Sequence, residues 1–136
     1  MSIMAVDPGR DKCGLAVLDM GGQILWRRVV PTEELAGEAK KLAGEYQAER
    51  LLLGNGTTHS RAEQRLGEAL PELPAEVVDE YRTTELAKKL YWKINPPRGW
   101  RRLLPLGMQV PPEPVDDLVA VILARRALGR EDDEYA

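Results

Sequence analysis

Residues 4–19 read MAVDPGRDKCGLAVLD. An apolar run, Met4-Ala5-Val6, stops abruptly in Asp7-Pro8-Gly9-Arg10, and a second run, Gly14 to Leu18, begins almost at once. Short apolar runs broken by turn residues read as buried strands. Turn chemistry alone accounts for Asp, Pro and Gly at the break, each for its own steric reason. What that reading leaves open is why a carboxylate closes a buried strand. Outward from this stretch, residues 2–7, 13–19 and 23–30 read as three strands, the last two joined by a Met20-Gly21-Gly22 hairpin turn. Residues 33–48 carry Leu35, Ala39, Leu42, Ala43 and Tyr46 at helical spacing, with Thr32 placed to cap the helix. A strand over 50–54, a helix over 59–70, a strand over 75–80 and a helix over 83–93 follow. Residues 95–114 are rich in proline and glycine and read as loop. Pro114 opens a last helix that Gly129 stops near Leu128.

The order β-β-β-α-β-α-β-α-loop-α predicts an α/β fold. Three early strands with tight turns form an antiparallel meander. Later strands alternate with helices and pair in parallel through right-handed crossovers. The expectation is one domain over 1–136, with a mixed five-stranded sheet flanked by helices.

The chain has 136 residues, enough for one real core. At 43% hydrophobic and 30% charged it is globular rather than disordered in composition. No apolar run approaches the roughly 20 residues that cross a bilayer, and MSIMAVDPGR has neither a basic nor a long apolar segment, so no signal peptide is expected. A lone cysteine, Cys13, excludes an internal disulfide and fits a reducing cytoplasm. With His59 the sole histidine, a structural zinc site is also disfavoured. The net charge of −3 lacks the strong basic excess of many nucleic-acid binders, although local patches matter more than the total.

Sites in open α/β sheets form beyond the carboxyl ends of the parallel strands. Asp7 ends the first strand, Gly54-Asn55-Gly56-Thr57 follows the fourth, and Glu80 ends the fifth, so these converge. On the last helix, at about 100° per residue, Asp116 borders the apolar stripe and turns toward Asp7 and Glu80. By the same angle Asp117 faces solvent, where it complements the helix dipole. Three carboxylates gathered without a basic partner repel one another. A divalent cation removes the conflict, and Mg²⁺ or Mn²⁺ suits oxygen ligands with open positions for water and phosphate. Two such ions about 4 Å apart can activate water and stabilise the leaving oxygen of a phosphodiester.

Four stretches, MAVDPGRDKCGLAVLD, LLLGNGTTHSR, VVDEYRTTELAKKL and PVDDLVAVILARRAL, together resemble the signature blocks of the YqgF-like family. Its members are Holliday-junction resolvase-like proteins and pre-ribosomal-RNA nucleases of the RNase H-like superfamily. The resemblance runs through nearly the whole chain in order. It implies an RNase H-like fold and a metal-dependent nuclease acting on structured RNA or branched DNA. Catalytic and metal-binding acids would be Asp7, Glu80 and Asp116, with Mg²⁺ or Mn²⁺ as cofactor. The basic residue expected soon after the first acid is present as Arg10 and Lys12. The Gly54-Asn55-Gly56-Thr57 loop departs from the Gly-Leu-Pro of stand-alone members. It looks more like the YqgF-like domain inside bacterial transcription-accessory proteins. That favours the alternative, a nucleic-acid-binding module without cleavage, linked to transcription or translation.

Arg98-Gly99-Trp100-Arg101-Arg102 is the densest basic and aromatic cluster. Arg98, Arg101 and Arg102 could hold phosphates while Trp100 stacks on a base, or the loop could simply be surface. Asn55 and Thr57 could offer phosphate contacts, or the loop could be a turn alone. His59 reads as a surface residue at a helix start, and Cys13 as a small strand residue. A junction-cutting activity would need a homodimer to place two sites.

Overall fold

The computed structural model describes residues 1–56, 58–96, 111 and 113–129. Strand β1 (Ser2–Asp7) lies at the centre of a sheet of order β3-β2-β1-β4-β5. β2 (Lys12–Asp19) and β3 (Ile24–Pro31) continue it as an antiparallel meander. β4 (Ala48–Gly54) and β5 (Ala75–Val78) pair in parallel on the other side. The hairpin between β2 and β3 turns at Gly22, whose φ of 92° suits glycine. Asp19 Oδ1 holds that turn by accepting from the Gly21 and Gln23 amides, both at 2.9 Å.

The sheet is covered on both faces. Alternate residues along each strand point to opposite sides. Met4, Val6, Leu15, Val17, Leu51 and Leu53 pack beneath α1 (Leu35–Tyr46) and α2 (His59–Ala69). Ile3, Ala5, Ala16, Leu18 and Leu52 pack beneath α3 (Thr83–Ile94) and α4 (Asp116–Ala127). Each fully buried aliphatic side chain contributes about 1.5–3 kcal/mol, so two apolar layers on one sheet stabilise the arrangement.

Three expectations need correction. Thr32 does not cap α1. It lies in a short 3-10 turn (Thr32–Glu34), and its hydroxyl donates to the Gly9 carbonyl at 3.0 Å. β5 stops at Val78, so Glu80 sits in the turn beyond the strand rather than at its end. Asp117 does not face solvent: it is 6% exposed. Helical angle alone places Asp117 in water only if the side of α4 opposite its apolar stripe is uncovered. In the structure the sheet lies under one side and α3 against another, leaving Leu118–Ala124 buried all round. Arg27 reaches from β3 to meet Asp117, Nη1 to Oδ2, at 2.7 Å.

Candidate active site

β1, β4 and β5 run in parallel, so Asp7, Gly54 and the turn after Val78 come to the same edge of the sheet. Asp7 shares the face of Ile3 and Ala5, the face that carries α4. Its partner across the ladder is Gly14. Glycine is required there by close approach: a Cβ on Gly14 would collide with the Asp116 carbonyl. The gap lets the first turn of α4 rest on β2, and this brings Asp116 near Asp7. Gly54 plays the matching part on β4, because a Cβ there would land on the Glu80 carboxyl. A Cβ on Gly56 would lie 3.0 Å from Glu80 Oε2 and 3.3 Å from the Pro8 carbonyl. Bare backbone thus makes room for the acids.

The turn bearing Glu80 is held from several directions. Asn55 Oδ1 accepts from the Glu80 amide at 3.1 Å. The Thr83 hydroxyl donates to the Glu80 carbonyl at 2.8 Å. From α4, Arg126 donates to the Asp79 carbonyl at 3.0 Å and the Tyr81 carbonyl at 2.8 Å, gripping the turn on both sides of the acid. Arg82 adopts a left-handed φ of 61°, a conformation that costs a residue with a Cβ about 1–2 kcal/mol. Several hydrogen bonds therefore hold a strained backbone that presents one side chain.

The Asp7 and Glu80 carboxyls are within hydrogen-bonding reach of each other. Two ionised carboxylates can only accept, so the contact needs a shared proton or a cation. Burial first, then the hydrogen bond and charge of Glu80, then the charge of Asp116, push Asp7 from 3.8 up to about 9. Glu80 Oε1 is buried and has no hydrogen-bond partner among the described residues. An orphaned buried carboxylate oxygen beside a carboxyl that resists ionisation is a donor set suited to a hard divalent cation. Among the described residues no three acidic, histidine or cysteine side chains stand close enough to cage a metal. Asp116 acts on Asp7 through its charge and is itself 3.9 Å from Lys12 Nζ, a half-exposed pair of small energetic worth. The expectation that the acids lack a basic neighbour is corrected by Lys12.

Of the expected substrate contacts, Arg10 is exposed on the β1–β2 turn. Asn55 has the Glu80 amide as its partner, which makes it a positioning residue in this geometry. Thr57, Arg98, Trp100, Arg101 and Arg102 lie outside the described residues. His59 Nδ1 stays local, 3.0 Å from the Gly56 carbonyl. Sequence reading missed Gly14, Gly54 and Arg126. A glycine opposite Asp7 and another closing β4 were visible as residues, but their purpose depends on which helix crosses which strand.

No protein-family model matches the chain. The structure of Thermus thermophilus RuvC superposes with a TM-score of 0.65, covering 98% of each chain at 15% identity. This is an RNase H-like fold. The uncharacterised Bacillus subtilis (strain 168) protein YdcI is 31% identical over 105 residues. That match takes in 65% of this chain but spans only 15% of YdcI, a much longer protein. Among the described residues no helix is long and apolar enough to cross a membrane.

Proposed function

We propose that the protein is a metal-dependent nuclease that hydrolyses phosphodiester bonds in structured RNA or branched DNA. The observation that carries this reading is the meeting of the Asp7 carboxyl, at the end of β1, with that of Glu80, in the turn that follows β5, with the charge of Asp116 alongside. Asp7, Glu80 and Asp116 would hold Mg²⁺ or Mn²⁺, which when bound supplies an activated water and stabilises the leaving oxygen. The chain's own residues fix the geometry. β1 holds Asp7 rigidly, and Asn55, Thr83 and Arg126 hold the backbone around Glu80. Lys12, beside Asp116, offers positive charge to a phosphate oxygen. The likeness of fold to RuvC supports the reading, as does the resemblance to YqgF-like nucleases. A cytoplasmic location, nucleic-acid partners and a homodimer for branched substrates belong to the same proposal.

A second reading, a nucleic-acid-binding module without cleavage, is favoured by two observations. The described acids do not form a closed three-carboxylate cage. The match within YdcI means that a segment of this kind sits inside a far longer chain. Incubation with labelled RNA and branched DNA under Mn²⁺ separates the two. The nuclease reading expects cleavage by the wild type that is lost in Asp7→Asn while binding persists. Binding without cleavage under either Mg²⁺ or Mn²⁺ selects the module.

A further inference from the structure

Beside the carboxylates, the β1–β2 turn and the start of α2 enclose a groove. One part, about 430 Å³, is lined by three arginines, Arg10, Arg61 and Arg65, and two acids, Asp11 and Glu33, together with Gly9, Thr32 and Thr58. A second part, about 750 Å³, shares Gly9, Arg10, Thr58 and Arg61 and extends to Pro8 and Ser60. The two thus adjoin at these residues, and Pro8 and Gly9 follow Asp7 directly in the chain. Gly56, bracketed by Glu80 Oε2 and the Pro8 carbonyl, joins the groove to the acids.

Three arginines face this space in a chain of net charge −3. Arg61 and Arg65 are four apart on α2 and so lie on one face, where like charges repel and destabilise a helix. None of Arg10, Arg61 and Arg65 forms an ion pair with a described residue. No acidic residue occupies the first turn of α2 to offset them. The groove is also built to keep its shape. The turn that carries Arg10 is tied to the body by the Thr32 hydroxyl on the Gly9 carbonyl at 3.0 Å and the Thr32 amide on the Asp11 carbonyl at 3.0 Å. Beneath it the Gly9 amide meets Cys13 Sγ at 3.5 Å. Thr58 Oγ1 is buried without a partner among the described residues. A fixed groove whose guanidinium groups have no ion-pair partner among the described residues matches a chain of phosphates, which arginine engages bidentately.

We propose that this groove holds the phosphodiester backbone of a nucleic-acid strand leading to the Asp7–Glu80 pair, with Arg10, Arg61 and Arg65 as its phosphate contacts. The proposal rests on the nucleic-acid reading above and adds the path of the strand. Its test is the double variant Arg61→Ala/Arg65→Ala, titrated by anisotropy in EDTA against a fluorescein-labelled single-stranded oligodeoxynucleotide and a four-way junction. The wild type should bind with a steep salt dependence. The variant should bind about tenfold more weakly at low salt, its log–log slope reduced by about 0.7–0.9 for each phosphate that is no longer neutralised. Arg61→Lys/Arg65→Lys should recover most of the slope because the charges remain. The melting-temperature rise with Mn²⁺ should be the same in the double Ala variant as in the wild type, which shows the acids undisturbed. An unchanged slope and affinity in that variant overturn the groove and leave the nuclease reading standing. Failure of the wild type to bind these probes and a labelled structured RNA alike overturns both. A polyglutamate peptide that binds the wild type as tightly as the oligonucleotides also overturns the proposal, assigning the groove to acidic protein.

Discussion

The two faces of the sheet are built differently. Beneath α1 and α2 the strands present Met4, Val6, Leu15, Val17, Leu51 and Leu53, all large. Beneath α3 and α4 the same strands present Ile3, Leu18 and Leu52 away from the site, but Ala5 and Ala16 between, and Gly14 and Gly54 where the acids gather. One face maximises buried apolar volume. The other gives up side-chain volume so that a helix terminus and a carboxyl can sit against bare backbone. Stability and site are thus separated between alternate residues of the same strands, and adjacent positions should respond differently to substitution.

Leu15 and Gly14 are the sharpest pair. Leu15 is fully buried on the α1/α2 face. Leu15→Ala removes packed volume and should cost about 2–5 kcal/mol, seen as a large drop in the denaturation midpoint. Gly14→Ala instead adds a methyl where the Asp116 backbone already lies. Overpacking of this kind costs about 1–3 kcal/mol. Its signature is functional: nuclease activity under Mn²⁺ should fall far more than the reduced stability explains, because α4 must lift Asp116 away from Asp7. If Gly14→Ala keeps full activity, the account of the small-residue face is wrong.

The large-residue face was readable in the sequence, since period-two strands and period-3.6 helices leave a direct pattern. The directions of pairing followed from connection lengths, and the convergence of Asp7 and Glu80 on one edge followed from parallel pairing; the order of the strands was not read. What was hidden required tertiary contact. Asp117 and Asp116 are neighbours with the same side-chain chemistry, and only the covering of α4 by α3 and β3 buries one and leaves the other half-exposed. Thr32 sits where a helix cap belongs, but the Gly9 carbonyl and the 3-10 turn claim it. Arg126 on the last helix gave no local sign that it would grip the turn around Glu80.

We propose that Asp7 and Glu80 meet in a buried contact that a divalent cation relieves. Asp7 in the folded protein holds its proton up to about 9 against an ordinary 3.8, owing to burial and to Glu80. An acid whose folded pKa is raised contributes full stability below its unfolded pKa, and that contribution is lost as pH climbs through the folded value. The direct measurement is a melting series from pH 4 to pH 9 on the wild type and Asp7→Asn, in EDTA and in millimolar Mn²⁺. In EDTA the wild type should lose melting temperature across this range relative to the variant, by about 4 °C for each kcal/mol of penalty. Mn²⁺ should restore it at neutral and higher pH, and should leave Asp7→Asn unmoved. Parallel pH curves for the two proteins in EDTA, with no Mn²⁺ shift in the wild type, would contradict the account.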